Sequence, residues 1–250
     1  MNSFASPIRQ VPRLIALVLA TAIVLLLAAC GQPQAAPQQP AQIPADIAEQ
    51  LPAPETGEDA LVVVFLGDSL TAGYGLEPGD ALPEQVEAVW RRNGTHAVAV
   101  NAGVSGDTTA QGLARFDWSV TSAKPGLLVV ALGANDYLLG VPPDVTRANL
   151  RAILDRAKEG NIPAVLVGLS LRGEIAEGSR EAAFAAIYPG LAAEYGVPYY
   201  PSLLGLIEGD PSMLQADGLH PTRDGVVRIA APLADFLTPV IEAIEQPDTR

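Results

Sequence analysis

Leu61-Val62-Val63-Val64-Phe65-Leu66-Gly67-Asp68-Ser69-Leu70 is the stretch whose reading decides the fold. Six apolar residues, rich in β-branched valine, run without a polar break into Gly-Asp-Ser. A strand with one wet face alternates apolar and polar side chains. An unbroken apolar run instead describes a strand buried on both faces, as in a parallel sheet covered by helices. Gly67 permits a tight exit from that strand. Ser69 then stands just past its carboxyl end, where open α/β sheets hold their ligands.

A regular alternation follows. Residues 82–92 place Val86, Val89 and Trp90 on one helical face, and Asn93-Gly94 is a stop signal. Residues 97–101 predict a short strand. Asp107-Thr108-Thr109 can cap a helix running to about residue 122. Residues 127–132 predict a third strand. Pro142-Pro143-Asp144 opens a helix carrying Val145, Leu150, Ile153 and Leu154, which Gly160-Asn161 closes. Residues 164–169 predict a fourth strand, and Ser179 can cap a helix reaching Tyr195. Pro189 within that stretch predicts a kink or break. Residues 197–200 predict a fifth strand, and residues 222–244 a last helix with Pro232 and Pro239 as candidate breaks. Five strands alternating with helices predict an α/β fold, a three-layer α/β/α sandwich around a five-stranded parallel sheet.

The front of the chain is different material. Residues 2–13 carry Arg9 and Arg13 and no acid, and residues 14–27 are apolar except for Thr21. This is the pattern of an export signal, too short to span comfortably as a permanent helix. Leu27-Ala28-Ala29-Cys30 resembles a bacterial lipobox, which implies cleavage before Cys30 and lipid on its thiol. Cys30 is the only cysteine, so an internal disulfide framework is excluded. By resemblance to exported lipoproteins, Gly31 after Cys30 points to the outer membrane, with the domain on its periplasmic face. Prolines alternate with Gln and Ala through residues 30–59 without an aromatic, a composition suited to an extended tether. The expected organisation is a signal peptide over 1–29, a lipidated tether over 30–59, one domain over 60–246 and a tail over 247–250.

The signal segment holds two of the chain's 15 basic residues and none of its 28 acids, so its loss takes the formal net charge from −13 to −15. Such a surface disfavours nucleic acid and anionic membrane patches.

Unusual polar groups follow the strands. They are Gly67-Asp68-Ser69-Leu70 after the first, Asn101-Ala102-Gly103-Val104-Ser105-Gly106 after the second, and Gly133-Ala134-Asn135-Asp136 after the third. Asp217-Gly218-Leu219-His220-Pro221 lies near the C-terminus. In a parallel sheet the first three share one edge. These four blocks, in this order, resemble the SGNH/GDSL hydrolase superfamily, most of all its branch of bacterial periplasmic thioesterases, lysophospholipases and arylesterases. The resemblance covers nearly all of residues 61–243. It implies a flavodoxin-like sheet, Ser69 as nucleophile, His220 as general base and Asp217 orienting His220. It also implies an oxyanion hole from the Ser69 and Gly103 N–H groups with the Asn135 side chain.

The chemistry of the residue types agrees. A serine hydroxyl is a poor nucleophile until a base takes its proton. Histidine titrates in the range that suits that task, so activity should fall below about pH 6–7. The chain has two histidines, and His96 precedes the second strand at the far edge of the sheet. Asp217, three residues before His220, can reach its Nδ1 within one local turn; the alternative role is a helix cap upstream of residue 222. Asn135 is a neutral donor suited to an oxyanion, although Gly-X-Asn-Asp is also ordinary turn chemistry. Asp68 and Asp136 are expected to hold loop N–H groups in place.

An α/β-hydrolase would show Gly-X-Ser-X-Gly, but residue 71 is Thr. No His/Cys cluster suggests a metal, and no Gly-X-Gly-X-X-Gly or Walker pattern suggests a nucleotide, so no metal or cofactor is expected. Tyr74 and Leu76 after the nucleophile, with Tyr137, Leu138 and Leu139 after Asn135, read either as walls of an acyl or aryl pocket or as buried loop anchors. The expected activity is hydrolysis of short or medium acyl or aryl esters, with lysophospholipids and thioesters in range. Carbohydrate O-deacetylation and a non-catalytic binding module are the alternatives.

Overall fold

Strand β1 (Leu61–Gly67) pairs in parallel with β2 (Ala97–Gly103) on one side and β3 (Leu127–Ala131) on the other. The computed structural model describes residues 60–171, 173 and 175–246. The expected signal peptide, Cys30, the tether and the tail lie outside the described residues. Strands β4 (Ala164–Val167) and β5 (Tyr199–Tyr200) complete a five-stranded parallel sheet of order β2-β1-β3-β4-β5. This is the flavodoxin-like order, and its switch point lies between β1 and β3.

Because side chains alternate along a strand, β1 feeds both layers. Val63 and Phe65 pack with α2 (Leu82–Asn93) and α8 (Arg223–Glu245), against Val86, Trp90, Ile229 and Leu233. Val64 and Leu66 face the other layer, built from α3 (Thr109–Ala114), α4 (Phe116–Ser119), α6 (Pro143–Glu159) and α7 (Arg180–Tyr195). There they meet Phe116, Leu150, Ile153, Phe184 and Tyr188. The sandwich has the three layers expected.

Strands β3 and β4 end earlier than their apolar runs, whereas β2 runs two residues past its expected end, to Gly103. Leu132, after β3, and Gly168 and Leu169, after β4, leave the sheet and line a cleft at its carboxyl edge. The helix expected over 107–122 is two short helices and a 3-10 turn (Thr121–Ala123). Thr108 and Gln111 form a capping box at its start. Arg115 then leaves the helical path at φ −98° and ψ 9°, and its guanidinium spans Asp107, Ser119 and the Gly67 carbonyl.

The prolines expected to break helices do not. Pro189 is exposed within α7, whose buried residues Phe184, Ile187, Tyr188 and Leu191 hold the helix on both sides of it. In α8, the apolar face from Val226 to Ile241 continues past Pro232 and Pro239. Near Pro239 the Ala234 carbonyl collects the Thr238 hydroxyl at 2.9 Å and the Trp90 indole N–H at 3.3 Å. Burial of these apolar faces thus offsets the cost of the missing N–H groups.

Candidate active site

Gly67 ends β1 opposite Gly103 on β2 and Ala131 on β3, so three loops leave the sheet at one level. The chain then turns at once into α1 (Ser69–Ala72), with Asp68 as its cap, accepting the Leu70 N–H at 3.1 Å. This tight return requires bare backbone beneath it. A Cβ on Gly67 would lie 1.9 Å from the Thr71 hydroxyl, and one on Gly103 would lie 2.3 Å from the Ala72 nitrogen. The result is a serine at the first helical position, its N–H without an acceptor among the described residues.

His220 arrives from the segment before α8. Its Nε2 lies 2.8 Å from Ser69 Oγ, and its Nδ1 lies 2.7 Å from Asp217 Oδ2. An ionised carboxylate only accepts, so Nδ1 carries the proton and Nε2 presents its lone pair to the serine hydroxyl. The other Asp217 oxygen accepts the Leu219 and His220 N–H groups at 2.8 and 3.0 Å. The hydrogen bond from the His220 ring, with those two N–H groups, pulls the Asp217 carboxyl down to about 2. Thr222, not Asp217, caps α8. Tyr74 lies tilted against the imidazole, with ring centroids 4.5 Å apart and 38° between the planes. Gln215 ties the two segments together, donating to the Tyr74 carbonyl at 2.7 Å and the Pro221 carbonyl at 2.9 Å. His96 is exposed at the opposite edge, where its carbonyl accepts the Leu61 N–H.

Asn135 belongs to α5 (Ala134–Leu138), directly after β3. Its Nδ2 donates to the Asp107 carbonyl at 2.9 Å, which fixes the amide's orientation and leaves a second N–H for the cleft it lines. Gly103 does not take the expected place. Its N–H donates to Asn101 Oδ1 at 3.0 Å, and its Cα supports α1 from inside the sheet. The glycine of this block that lines the cleft is Gly106, three residues on, whose N–H has no acceptor among the described residues.

Two aspartates are buried close by. Asp136 points away from the cleft and accepts the Thr109 N–H at 2.7 Å, the Thr109 hydroxyl and the Thr146 hydroxyl at 3.2 Å. Asp68 is 3% exposed, and loss of hydration pushes its carboxyl up to about 6, against the opposing pull of the Leu70 N–H and His220. Arg115 connects the loops, pairing with Asp107 at 2.6 Å while donating to the Gly67 carbonyl at 2.9 Å.

The cleft encloses about 480 Å³, the size of a small-molecule site. Ser69, His220, Asn135 and Gly106 all line it. Leu132, Leu138, Val167, Leu169, Leu171 and Leu203 supply much of the remaining wall. Tyr74, Tyr137 and Leu138 all line it, which places them as walls and not as buried anchors; Leu76 packs into the core instead. Among the described residues, no group of three or more His, Cys, Asp or Glu side chains is placed to hold a metal ion.

A serine hydroxyl on an imidazole oriented by a carboxylate, with N–H donors beside an apolar cleft, defines an ester hydrolase of the SGNH type. The chain belongs to the GDSL-like Lipase/Acylhydrolase family, whose profile matches residues 65–227. It is 37% identical over 179 residues to the thioesterase 1/protease 1/lysophospholipase L1 of Escherichia coli (strain K12), covering 72% of this chain and 84% of that protein. An arylesterase of Vibrio mimicus is 33% identical over 175 residues, covering 70% of this chain and 87% of that one. Among solved structures, that of TesA superposes with a TM-score of 0.67 at 30% identity, over 72% of this chain and 99% of its own.

Proposed function

We propose that the chain is a serine esterase that works through an acyl-enzyme on short and medium acyl and aryl esters. The observation that carries this reading is the line Ser69–His220–Asp217, with both hydrogen bonds under 3 Å, opening onto an apolar cleft. In the forward step, Ser69 Oγ attacks the carbonyl carbon as His220 Nε2 takes the hydroxyl proton. Asp217 stabilises the imidazolium and holds its tautomer. The negative oxygen of the tetrahedral intermediate is met by the N–H groups of Ser69 and Gly106 and by Asn135 Nδ2, with Gly106 in the role expected of Gly103. His220 then gives its proton to the departing alkoxide, leaving the acyl group on Ser69. Water, deprotonated by the same imidazole, releases it.

Lysophospholipids and thioesters, classes that appear in the name of the Escherichia coli relative, belong in the range because the same attack serves any acyl carbonyl. The leucine-rich walls favour an acyl or aryl group over a sugar ring, whose hydroxyls would be buried without partners. Purified protein on a panel of p-nitrophenyl esters, acetylated xylan and acetylated peptidoglycan tests the assignment. Turnover of the nitrophenyl esters, absent in Ser69→Ala, is expected. Release of acetate from the polysaccharides alone would make it a deacetylase, and turnover unchanged in Ser69→Ala would remove Ser69 from the mechanism.

We further propose export and lipid attachment at Cys30, placing the domain on the periplasmic face of the outer membrane. The basic start, the short apolar run and the lone cysteine after Leu-Ala-Ala support this. Labelling with a palmitate analogue should be lost in Cys30→Ser, and the variant should leave the membrane fraction. Labelling that persists without Cys30 would exclude the anchor.

A further inference from the structure

Arg180 is the first residue of α7 and does not line the cleft. Its guanidinium carbon lies 4.7 Å from the centroid of the Tyr137 ring and 4.7 Å from that of Phe184. Its Nη2 donates to the carbonyls of Tyr137 at 2.9 Å, Val141 at 3.2 Å and Asp136 at 3.4 Å. The two rings meet edge to face at 5.4 Å. Glu181, the next residue, accepts the Tyr137 hydroxyl at 3.0 Å. One helix terminus therefore grips the backbone of segment 136–141, one face of its tyrosine and that tyrosine's hydroxyl.

The same short helix, α5, is held by a separate set of bonds at its start. Asn135 is tied to Asp107, and Asp136 to Thr109 and Thr146. The oxyanion side of α5 thus has side-chain anchors of its own, and Arg180 reaches that side only through the Asp136 carbonyl at 3.4 Å. We infer that Arg180 is a positioning residue that sets acyl-chain preference by pinning the Tyr137–Leu138 wall of the cleft. The inference rests on the esterase reading. Tyr137 and Leu138 come two and three residues after Asn135 and line the same cleft, so an acyl chain extending along it from the reacting carbonyl meets this wall. An acetyl group is too short to use the wall, whereas an octanoyl chain packs along it. A guanidinium fits the arrangement because it packs over both rings while donating to the carbonyls beside them; a compact, strongly hydrated ammonium does so less well.

The test compares kcat and KM for p-nitrophenyl acetate, butyrate and octanoate in wild type, Arg180→Met and Arg180→Lys, normalised to sites titrated with a fluorophosphonate. Arg180→Met keeps an apolar stem beside the rings and removes every donor. It should lower the octanoate-to-acetate ratio of kcat/KM about tenfold, carried by KM for octanoate, with acetate turnover per site unchanged. Arg180→Lys should fall between. If Arg180→Met does not fold, Arg180→Lys and Tyr137→Phe, which frees the ring from Glu181, carry the test and should move the ratio the same way. A ratio equal to wild type in variants that fold, or acetate and octanoate falling in parallel, overturns the inference alone. A wild-type protein that neither takes the phosphonate nor turns over any ester overturns the esterase reading, and the inference falls with it.

Discussion

Replacing Asp136 should cost stability and spare chemistry, although it neighbours the oxyanion donor. The carboxylate is completely buried and accepts three hydrogen bonds, one from backbone and two from hydroxyls. In Asp136→Asn the amide oxygen still takes the Thr109 N–H. The NH2 then faces two hydroxyls that must turn to accept. Thr146 can do so by donating to the Pro142 carbonyl at 3.4 Å; Thr109 can do so once the Asn149 amide, whose NH2 now donates to it at 3.0 Å, flips to accept its proton. What is lost is charge assistance, about 1 kcal/mol per bond, offset in part by the lower desolvation cost of a neutral group. The expected net loss is about 2 kcal/mol. Asp136→Ala strands the Thr109 N–H and opens a void, a loss of about 3–5 kcal/mol and a large part of a typical domain's stability. Urea unfolding followed by tryptophan fluorescence gives the stability, and phosphonate titration gives kcat per intact site. For Asp136→Asn, kcat per site should stay within about threefold of wild type. Full stability with lost turnover would refute the reasoning and place Asp136 in the chemistry.

Three other substitutions separate the remaining roles. Asn135→Ala should lower kcat by about 10²–10³ with little change in KM, as expected of a donor used only when charge develops; a loss confined to KM would make Asn135 a ground-state binding group. Asp68→Asn probes a carboxyl raised from an ordinary 3.8 to about 6. The folded protein holds this proton more tightly than the unfolded chain, so the contribution to stability is complete below the ordinary value and is lost as pH rises through about 6. Between about pH 4 and pH 7, wild type should lose up to about 3 kcal/mol relative to Asp68→Asn, read from paired urea titrations; parallel curves would mean that Asp68 is ordinary. Gly103→Ala should lower Tm and kcat together by pushing a Cβ into the α1 backbone, at a cost of about 1–3 kcal/mol. An unchanged Tm would show that α1 has room to move.

The legible features were those written in neighbouring residues. The unbroken run before Gly67 announced a doubly covered strand, and the loop blocks announced one functional edge. The short reach from Asp217 to His220 made that pair readable without a fold. The two glycines of the second block were harder to tell apart. Gly103 pairs with Gly67 and is still strand, whereas Gly106 lies beyond it, and that difference is one of register between strands. Arg115 and Arg180 gave no local sign, because the carbonyls they hold are 48 residues away at Gly67 and 43 away at Tyr137. The prolines misled because a missing N–H is a local cost, while the apolar faces that offset it belong to tertiary packing.

The central claim is that folding makes Ser69 reactive by bringing it to His220. Its most direct measurement is the rate of fluorophosphonate labelling, with the adduct located by mass spectrometry, in wild type and His220→Gln. The account predicts an adduct on Ser69 alone and labelling slowed at least about a hundredfold without the imidazole. An adduct on another residue, or an unchanged rate in His220→Gln, would contradict it.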